Sequence, residues 1–363
     1  MAVSVEVPVP KSEKDVSAGW VTAALGDALS SPVSAVAARR IGEGAGVTSL
    51  VLRLGLSYEG DAAGPASVIF KSPGTSLQAD PDRPARQYGF YEREARFFQE
   101  LAPEVAIAPR CYSCEFDRGS GEPGLLLEDL AGYDQEDDRR GLPAESLRRC
   151  VGVLAAMHSE WWQSPRLSSC DFLFTVNAPN AGFLAEGHSR SWASFLERYG
   201  HVLPPGYEAF RPPLSSSLQE AATGLGAAPR TLVHLDFRAD NLFFGGDPPR
   251  TVAIDWQLAT RGPGVADLAT LFCHSIATDL RRELEEDLMH LWHEAVVSAT
   301  ATSYSFEQAG ADFRRWLLFH VVRVVIAGAS VPPESQAGEL IATYAERAFA
   351  CAIDHEAEAL VVR

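Results

Sequence analysis

The sequence predicts an α+β protein whose strand-rich first third is followed by a mainly helical remainder. Up to residue 130, short segments alternate apolar and polar side chains or are rich in β-branched residues, a pattern typical of strands. From Ala131 onward, apolar residues recur at helical spacing. The 363 residues, of which 46% are hydrophobic and 22% charged, are enough for one large or two modest domains.

The first third is predicted to form a small antiparallel sheet with a packed helix. A short helix comes first, three strands separated by Gly, Ala and Asp turns follow, and a longer helix precedes two further strands. The longer helix would place Tyr88, Tyr91, Ala95 and Phe98 on one face. The predicted helices span 16–29 and 82–101, and the predicted strands span 33–41, 47–57, 66–71, 110–116 and 124–128.

The remainder is predicted to be helical around one strand-rich interruption. The runs TLVHL, NLFF and TVAIDW, between Thr231 and Trp256, favour strands. Because loops on a rigid scaffold most often carry function, we expect the chemistry at this interruption. Helices are expected over 143–162, 192–199, 214–224, 266–302, 306–327 and 334–355.

Charge and cysteine content exclude several classes of protein. Acidic residues outnumber basic ones by 48 to 31, and the formal charge of −17 argues against nucleic acid and anionic membranes as partners. No apolar run approaches the roughly 20 residues of a membrane span, and no signal peptide opens the chain, so a cytoplasmic protein is expected. Cys111 and Cys114 form a C-x-x-C pair with no second pair nearby, so reduced thiols are favoured over a metal site.

The densest group of chemistry-bearing residues is HLDFRADN at 234–241, followed by IDWQ at 254–257. Asp236 lies in a loop after a strand, Asn241 opens the next strand, and Asp255 ends its hairpin partner. Amide and carboxylate oxygens on adjacent strands suit a magnesium ion that carries phosphate ligands. Asp236 is then free to act on a hydroxyl group, so three candidate residues match three roles.

These motifs resemble those of the aminoglycoside phosphotransferase and choline kinase superfamily. HLDFRADN fits its H-x-D-x-x-x-x-N catalytic loop, and IDWQ stands where it carries a second metal-binding aspartate. The R-x-D-N and D-W-Q details are most similar to the ecdysteroid-kinase-like and acyl-CoA-dehydrogenase-associated branches, and Leu235 stands where glycine is usual. The resemblance covers about 41–267. It implies a two-lobed protein-kinase-like fold, with a nucleotide-binding lobe over 1–130, a helical lobe over 131–363 and ATP in the cleft between them.

The same resemblance assigns a role to Lys71. This lysine ends the apolar run SVIFK, where an unpaired ammonium would be costly to bury, so it needs an anionic partner. The resemblance implies that Lys71 contacts the α- and β-phosphates of ATP and that an ion pair with Glu94 holds it in position. Glu92 is the alternative partner. The alternative for Lys71 itself is a lysine at the surface end of a strand.

Two further segments complete the implied nucleotide site. GEGAGVTS at 42–49 resembles a shortened nucleotide-binding loop, and a plain β-turn is the alternative because it also needs glycines. GLLLEDL at 124–130 matches the segment that joins the lobes, whose backbone groups would bind adenine; a buried strand that ends in a charged turn is the alternative. The implied nucleotide-binding residues are Gly44, Gly46, Thr48, Ser49, Lys71, Glu94, Glu128 and Leu130.

The loop residues divide into catalytic and structural candidates. Asp236 holds the superfamily's base position, and Asn241 and Asp255 are the implied magnesium ligands. His234 follows the apolar TLV run and is therefore interpreted as a structural, hydrogen-bonded histidine, and His158 as a packing residue. Asp267 lies near a helix start, where an aspartate can accept backbone N–H bonds, and the resemblance implies that it braces the catalytic loop.

The predicted function is transfer of the γ-phosphate of ATP to a hydroxyl group of a small-molecule metabolite or natural product, with magnesium as cofactor. Only 12 positions separate Asp255 from Asp267, which leaves little chain for a peptide-docking segment. The alternatives are an aminoglycoside-type antibiotic phosphotransferase, a non-catalytic nucleotide-binding protein, and a metal hydrolase built on the His234 cluster. The branch resemblance favours a neutral or hydrophobic acceptor, and the oligomeric state is not predicted.

Overall fold

The computed structural model describes residues 9–42, 49–59, 64–73, 88–117, 122–175 and 178–362. The chain divides into two compact units. The first unit takes the described residues of Met1–Tyr133 together with Gly245–Pro248 and Val252–Leu258, and the rest of the chain forms the second. The lobe boundary predicted after residue 130 stays a prediction, but the returning segments show that Asp255 groups with the first unit.

The first unit is built on a five-stranded antiparallel sheet in the order β1-β2-β3-β5-β4. The antiparallel meander and the packed helix predicted for this part are confirmed. Its helices are α1 (Ala18–Leu25) and α2 (Phe90–Glu100), and its strands are β1 (Val33–Arg40), β2 (Leu50–Tyr58), β3 (Ser67–Ser72), β4 (Cys111–Phe116) and β5 (Pro123–Glu128).

The alternation of buried and less buried side chains along β3 places its lysine on one face of the sheet. Val68 and Phe70 are fully buried in a core that includes Leu52, Leu54 and residues of α1. Because successive side chains of a strand point to opposite faces, Lys71 lies on the face opposite this core. The strand's hydrophobic pattern thus holds the lysine away from the apolar layer.

Helix α2 buries the predicted face only in part, and Tyr91 is half-buried. Ala95 and Phe98 are buried as expected, but Tyr88 precedes the helix and is 42% exposed. The helix begins after Gly89, whose φ of 64° is a left-handed conformation that favours glycine. The predicted segment 82–87 lies outside the described residues. Arg93, Glu94 and Phe97 join the buried side, so α2 carries charged groups inward.

The second unit is mainly helical. Strand β7 pairs antiparallel with β10, and β6, β8 and β9 form a second small sheet. All residues of α7 are buried, so it lies at the centre of this unit. Its helices are α3 (Ala144–Glu160), α4 (Pro165–Ser169), α5 (Ala178–Tyr199), α6 (Ser215–Ala227), α7 (Val265–Ser275), α8 (Thr278–Thr300), α9 (Phe306–Gly328) and α10 (Gln336–Asp354). The remaining strands are β6 (Asp134–Gln135), β7 (Thr231–Val233), β8 (Leu242–Gly245), β9 (Arg250–Ala253) and β10 (Thr260–Gly262), of which Gly245 and the last two residues of β9 are assigned to the first unit. Among the described helices, none combines the length and the apolar character that a membrane crossing requires.

Two helix predictions in this unit were wrong in extent. The single helix expected over 266–302 is two helices, because the carbonyl of Ser275 accepts the Leu142 N–H at 2.7 Å and that of His274 accepts from Arg347. The helix expected over 192–199 is the C-terminal part of the longer α5, which has 22 residues. Gly187 weakens the helical pattern there, yet a Cβ at this position would lie 2.9 Å from Ile326, so the glycine permits close packing of α9.

The ring of Trp256 should be a main support of the segment that carries Asp255. It is fully buried, stacks on Phe97 at 4.0 Å between centroids, and donates from Nε1 to the Ala253 carbonyl at 2.8 Å. Trp256→Ala should lower the free energy of unfolding by about 3–5 kcal/mol, measured by urea denaturation. Leu291→Ala, at a 40% exposed position, is the control and should change it by less than about 0.5 kcal/mol. Equal stabilities would contradict this role.

Candidate active site

In the first unit, Lys71 is held between two carboxylates. Its Nζ lies 2.7 Å from Glu94 Oε1 on α2 and 2.9 Å from Asp255 Oδ1, which follows β9. The Lys71 side chain is only 15% exposed, so it is not a lysine at the surface end of the strand. Glu92, the alternative partner, is exposed. The pairing of Lys71 with Glu94 is therefore present, whereas the role of either residue toward phosphate stays a prediction.

The two carboxylates reverse the effect of burial on Lys71. Burial disfavours the charged form of the lysine, but Asp255 and Glu94 together raise the pKa of Lys71 above its usual value. Burial raises the pKa of Glu94; Lys71 opposes this effect and the neighbouring Asp255 adds to it. One ammonium thus faces two carboxyl groups. Because the cluster has more carboxyl groups than ammonium groups, Asp255 can also bind a second cation.

The backbone around Asp255 is constrained. Asp255 has a φ of 65°, a left-handed conformation that costs a residue with a Cβ roughly 1–2 kcal/mol. Gln257 Nε2 lies 3.3 Å from Asp255 Oδ2, and the Gln257 carbonyl accepts from Arg93 Nη1 at 2.8 Å. Strain of this kind persists where the surroundings hold it, and it is common at functional positions. The neighbours of Asp255 therefore present its carboxylate to Lys71.

The end of β5 is tied to its neighbouring strands. The Glu128 N–H donates to the Arg110 carbonyl at 2.9 Å, and Glu128 Oε1 accepts the Arg110 N–H at 2.7 Å. The next residue, Asp129, accepts from Ser67 Oγ at 2.6 Å and lies 2.8 Å from Arg53 Nε. The Leu130 carbonyl accepts a backbone N–H at 2.9 Å. An adenine-binding role for Glu128 and Leu130 stays a prediction.

Part of the predicted nucleotide loop cannot be placed. Gly44, Gly46 and Thr48 lie outside the described residues. Ser49 is buried and immediately precedes β2. The prediction for this loop therefore rests on its sequence.

In the second unit, the predicted catalytic aspartate is oriented by its own loop. Asn241 Nδ2 donates to the Asp236 carboxylate at 2.8 Å and to the Asp236 carbonyl at 2.9 Å. Arg238 Nε lies 3.3 Å from both carboxylate oxygens. Because the Asn241 amide nitrogen is engaged in this way, its Oδ1 is the atom suited to bind a metal. The five-residue spacing of Asp236 and Asn241 thus places two predicted site residues in contact.

Charges around Asp236 favour its ionised form. Burial would raise its pKa, but Arg238, Arg323 and the hydrogen bond from Asn241 hold the pKa of Asp236 below its usual value. The carboxylate is therefore ionised at neutral pH. It can accept a hydrogen bond from a hydroxyl group and orient that group.

Asp267 anchors the start of the catalytic loop. Its two carboxylate oxygens accept the N–H of His234 at 2.9 Å and the N–H of Leu235 at 2.7 Å. His158 Nε2 lies 3.2 Å from the same carboxylate, and Trp292 Nε1 donates to His158 Nδ1 at 2.9 Å, so Nε2 carries the His158 proton. These bonds match the structural roles expected for both histidines and for Asp267. Leu235 adopts a φ of 67°, the conformation for which glycine is usual.

Sequence reasoning missed a buried network beneath the loop. Asp138 is fully buried; its Oδ1 accepts from the Ala239 N–H at 2.9 Å and from Ser275 Oγ at 2.6 Å. Its Oδ2 accepts from Arg238 Nη1 at 2.9 Å and from the Tyr344 hydroxyl at 2.7 Å. Asp138 lies in the charged run QEDDRR, a composition typical of a solvated turn, so no local pattern could have identified it.

Comparisons with known proteins agree with this architecture. The model of the phosphotransferase enzyme family matches residues 28–304. The fold is similar to that of the Plasmodium vivax ethanolamine kinase, with a TM-score of 0.54 at 13% identity, covering 93% of this chain and 89% of that one. The choline kinase of Cryptosporidium parvum gives a TM-score of 0.52 at 14% identity, covering 88% of this chain and 89% of that one.

A microcompartment-associated aminopropanol kinase is also similar in fold. It gives a TM-score of 0.51 at 13% identity, covering 90% of this chain and 94% of that one. No match was found among curated proteins. These likenesses confirm the two-lobed, kinase-like α+β fold. Because the family model spans most of the chain, this protein belongs to the phosphotransferase enzyme family.

Proposed function

We propose that this phosphotransferase moves the γ-phosphate of ATP to a hydroxyl group of a small molecule. The observation that carries the proposal is the buried contact of Lys71 with Glu94 and Asp255. These residues lie on separate segments, and Lys71 and Asp255 are 184 positions apart. A lysine whose charge is maintained by carboxylates suits the binding of phosphate oxygens.

Asp236 would act on the acceptor. Its ionised carboxylate accepts a hydrogen bond from the hydroxyl group and takes the proton as the new bond from oxygen to the γ-phosphorus forms. The bond from the γ-phosphorus to the bridging oxygen breaks at the same time, and ADP leaves with the electron pair. Because the pKa of Asp236 is lowered, the residue is a weak base, and its main contribution would be orientation of the hydroxyl.

The donor chemistry of two residues fits magnesium. Asn241 offers an amide oxygen, and Asp255 offers a carboxylate from a cluster with two acids and one ammonium. By this donor chemistry we propose Asn241 and Asp255 each as a magnesium ligand. Magnesium, when bound, neutralises charge on the phosphate oxygens. For adenine, we propose the Glu128 carbonyl and the Leu130 N–H as its partners.

The proposed function is tested by incubating the purified chain with ATP, magnesium and a panel of hydroxylated metabolites. We expect acceptor-dependent consumption of ATP and a mass gain of one phosphoryl group on at least one small molecule. Casein and basic peptides should remain unmodified. Consumption of ATP that no acceptor increases would favour a hydrolase, and phosphorylation of the peptides would overturn the acceptor class.

Asp236→Asn should remove transfer without removing nucleotide binding. The variant keeps the size of the side chain but loses the negative charge that orients the acceptor hydroxyl and takes its proton, so kcat should fall by about 100- to 10,000-fold. ATP affinity, measured by calorimetry, should be unchanged because Asp236 acts on the acceptor. Asp279→Asn, at a fully exposed side chain, is the matched control. Near-normal turnover by Asp236→Asn would remove this residue from the mechanism.

Glu94→Gln and Glu92→Gln are a matched pair of variants that test whether Glu94 holds Lys71 in position. Glu94→Gln leaves Lys71 with one carboxylate and frees it to move, so kcat/KM for ATP should fall by about 100-fold. Glu92 is exposed and two residues away on the same helix, so Glu92→Gln should leave kcat/KM unchanged. Steady-state kinetics with varied ATP measure both values. Equal losses in the two variants would contradict the assignment of Glu94.

A further inference from the structure

We propose that the acceptor carries an anionic group, a carboxylate or a phosphate, which Arg323 binds while Asp236 binds the hydroxyl. Arg323 lies on α9, within the same unit as the catalytic loop. This inference rests on the proposed function and names the chemical class of its substrate.

Arg323 is a partly buried guanidinium with little to bind. Its one hydrogen bond among the described residues runs from Nη1 to the Leu235 carbonyl, and at 3.5 Å it is long. No carboxylate of the described chain lies within 4.0 Å of it. A guanidinium has five N–H donors in a planar fork that matches carboxylate and phosphate oxygens. Most of the binding capacity of Arg323 is therefore available to a ligand.

Two other arginines of this unit, Arg238 and Arg347, have close hydrogen-bond or ion-pair partners within the protein. Arg238 contacts the carboxylates of Asp236, Asp138 and Asp240 at 3.3 Å or less. Arg347 is 5% exposed and donates to backbone carbonyls, among them that of Arg139 at 3.0 Å. Arg238 and Arg347 are thus both committed to the protein. Arg323 is not.

Electrostatics agree with this contrast. Burial disfavours the charge of Arg238, but Asp236, Tyr344 and Asp138 outweigh this effect and raise the pKa of that guanidinium. Burial lowers the pKa of Arg323; Asp236 opposes this effect and Arg238 adds to it. The surroundings of Arg323 therefore do not compensate its charge. A bound anion would compensate this charge, and Arg238, which lies 3.3 Å from the Asp236 carboxylate, would reduce the repulsion between that anion and Asp236.

A histidine pair beside Arg323 adds polar, non-acidic groups. His274 and His320 meet at 3.0 Å between their Nε2 atoms, and both are buried. Burial and the nearby arginine lower the pKa of His320 to about 3, and burial with His320 lowers that of His274, so the pair is neutral. One Nε2 must then donate and the other accept, which leaves one Nδ1–H donor and one Nδ1 acceptor.

Neither Nδ1 atom has a partner among the described residues. Both atoms are buried, so the pair brings no negative charge to the surroundings of Arg323 and exposes no group to a ligand. Two acidic side chains lie near Asp236, those of Asp138 and Asp240. Both are paired with Arg238. Among these charged groups, Arg323 is the cation with no carboxylate of the described residues within 4.0 Å and with only one long hydrogen bond. An anionic hydroxylated compound fits this cation better than a cationic amine or the apolar alcohol that the sequence favours.

The test uses four three-carbon acceptors that differ in one group: glycerol, glycerate, glycerol phosphate and aminopropanediol. Phosphorylation of each is measured with wild type, Arg323→Met, Arg323→Lys and the control Arg190→Met, whose arginine is 66% exposed. Thermal stabilisation by each compound at constant ionic strength is measured in parallel. We expect glycerate or glycerol phosphate to exceed glycerol by at least about tenfold in kcat/KM. Which of the two is preferred distinguishes carboxylate from phosphate.

Arg323→Met should raise the KM for the anionic acceptor by about 10- to 100-fold, with kcat much less affected. Arg323→Lys should recover part of the loss, and Arg190→Met should behave as wild type. Equal or better use of glycerol or aminopropanediol would overturn this inference and leave the kinase assignment intact. If no compound is phosphorylated, stabilisation decides: anion-dependent stabilisation lost in Arg323→Met supports the site, and equal stabilisation in both proteins overturns it.

Discussion

Lys71 carries an ammonium group at a position where only 15% of its side chain meets solvent, and water can no longer stabilise its charge there. Removing a charged group from water costs several kcal/mol unless opposite charge or hydrogen bonds replace the water. Glu94 and Asp255 provide that replacement. Helix α2 and the returning segment 252–258 must therefore both be in place for β3 to carry a buried lysine, and this requirement ties three distant parts of the chain into one unit.

The same constraint organises the second unit around Asp138. Its carboxylate is fully buried and accepts hydrogen bonds from the backbone N–H of the catalytic loop, from Ser275 and from Tyr344, as well as pairing with Arg238. Asp267 acts in the same way on the first residues of the loop. Two buried carboxylates thus hold both ends of the loop, which leaves Asp236 oriented before any substrate arrives.

Local patterns were sufficient for much of the fold. Alternation along β2 and β3 predicts the meander, and helical spacing predicts α3, α9 and α10 within a few residues. Sequence patterns gave the wrong helix ends where tertiary packing overrides local helix propensity. Gly187 weakens the helical pattern inside α5 but permits contact with α9, and the break after Ser275 depends on Leu142, more than a hundred positions earlier.

The sequence by itself determined which residues are candidates for the site: the loop HLDFRADN, the aspartate of IDWQ and the lysine of SVIFK are visible because their spacing is local. It also required that Lys71 have an anionic partner. Only the tertiary structure decided that this partner is Glu94 and that Arg238 is committed to carboxylates whereas Arg323 is not. These outcomes depend on contacts across 23 positions for Lys71 and Glu94, 100 for Arg238 and Asp138, and 88 for Arg323 and Leu235. Burial, which makes such partners necessary, is a property of the folded chain.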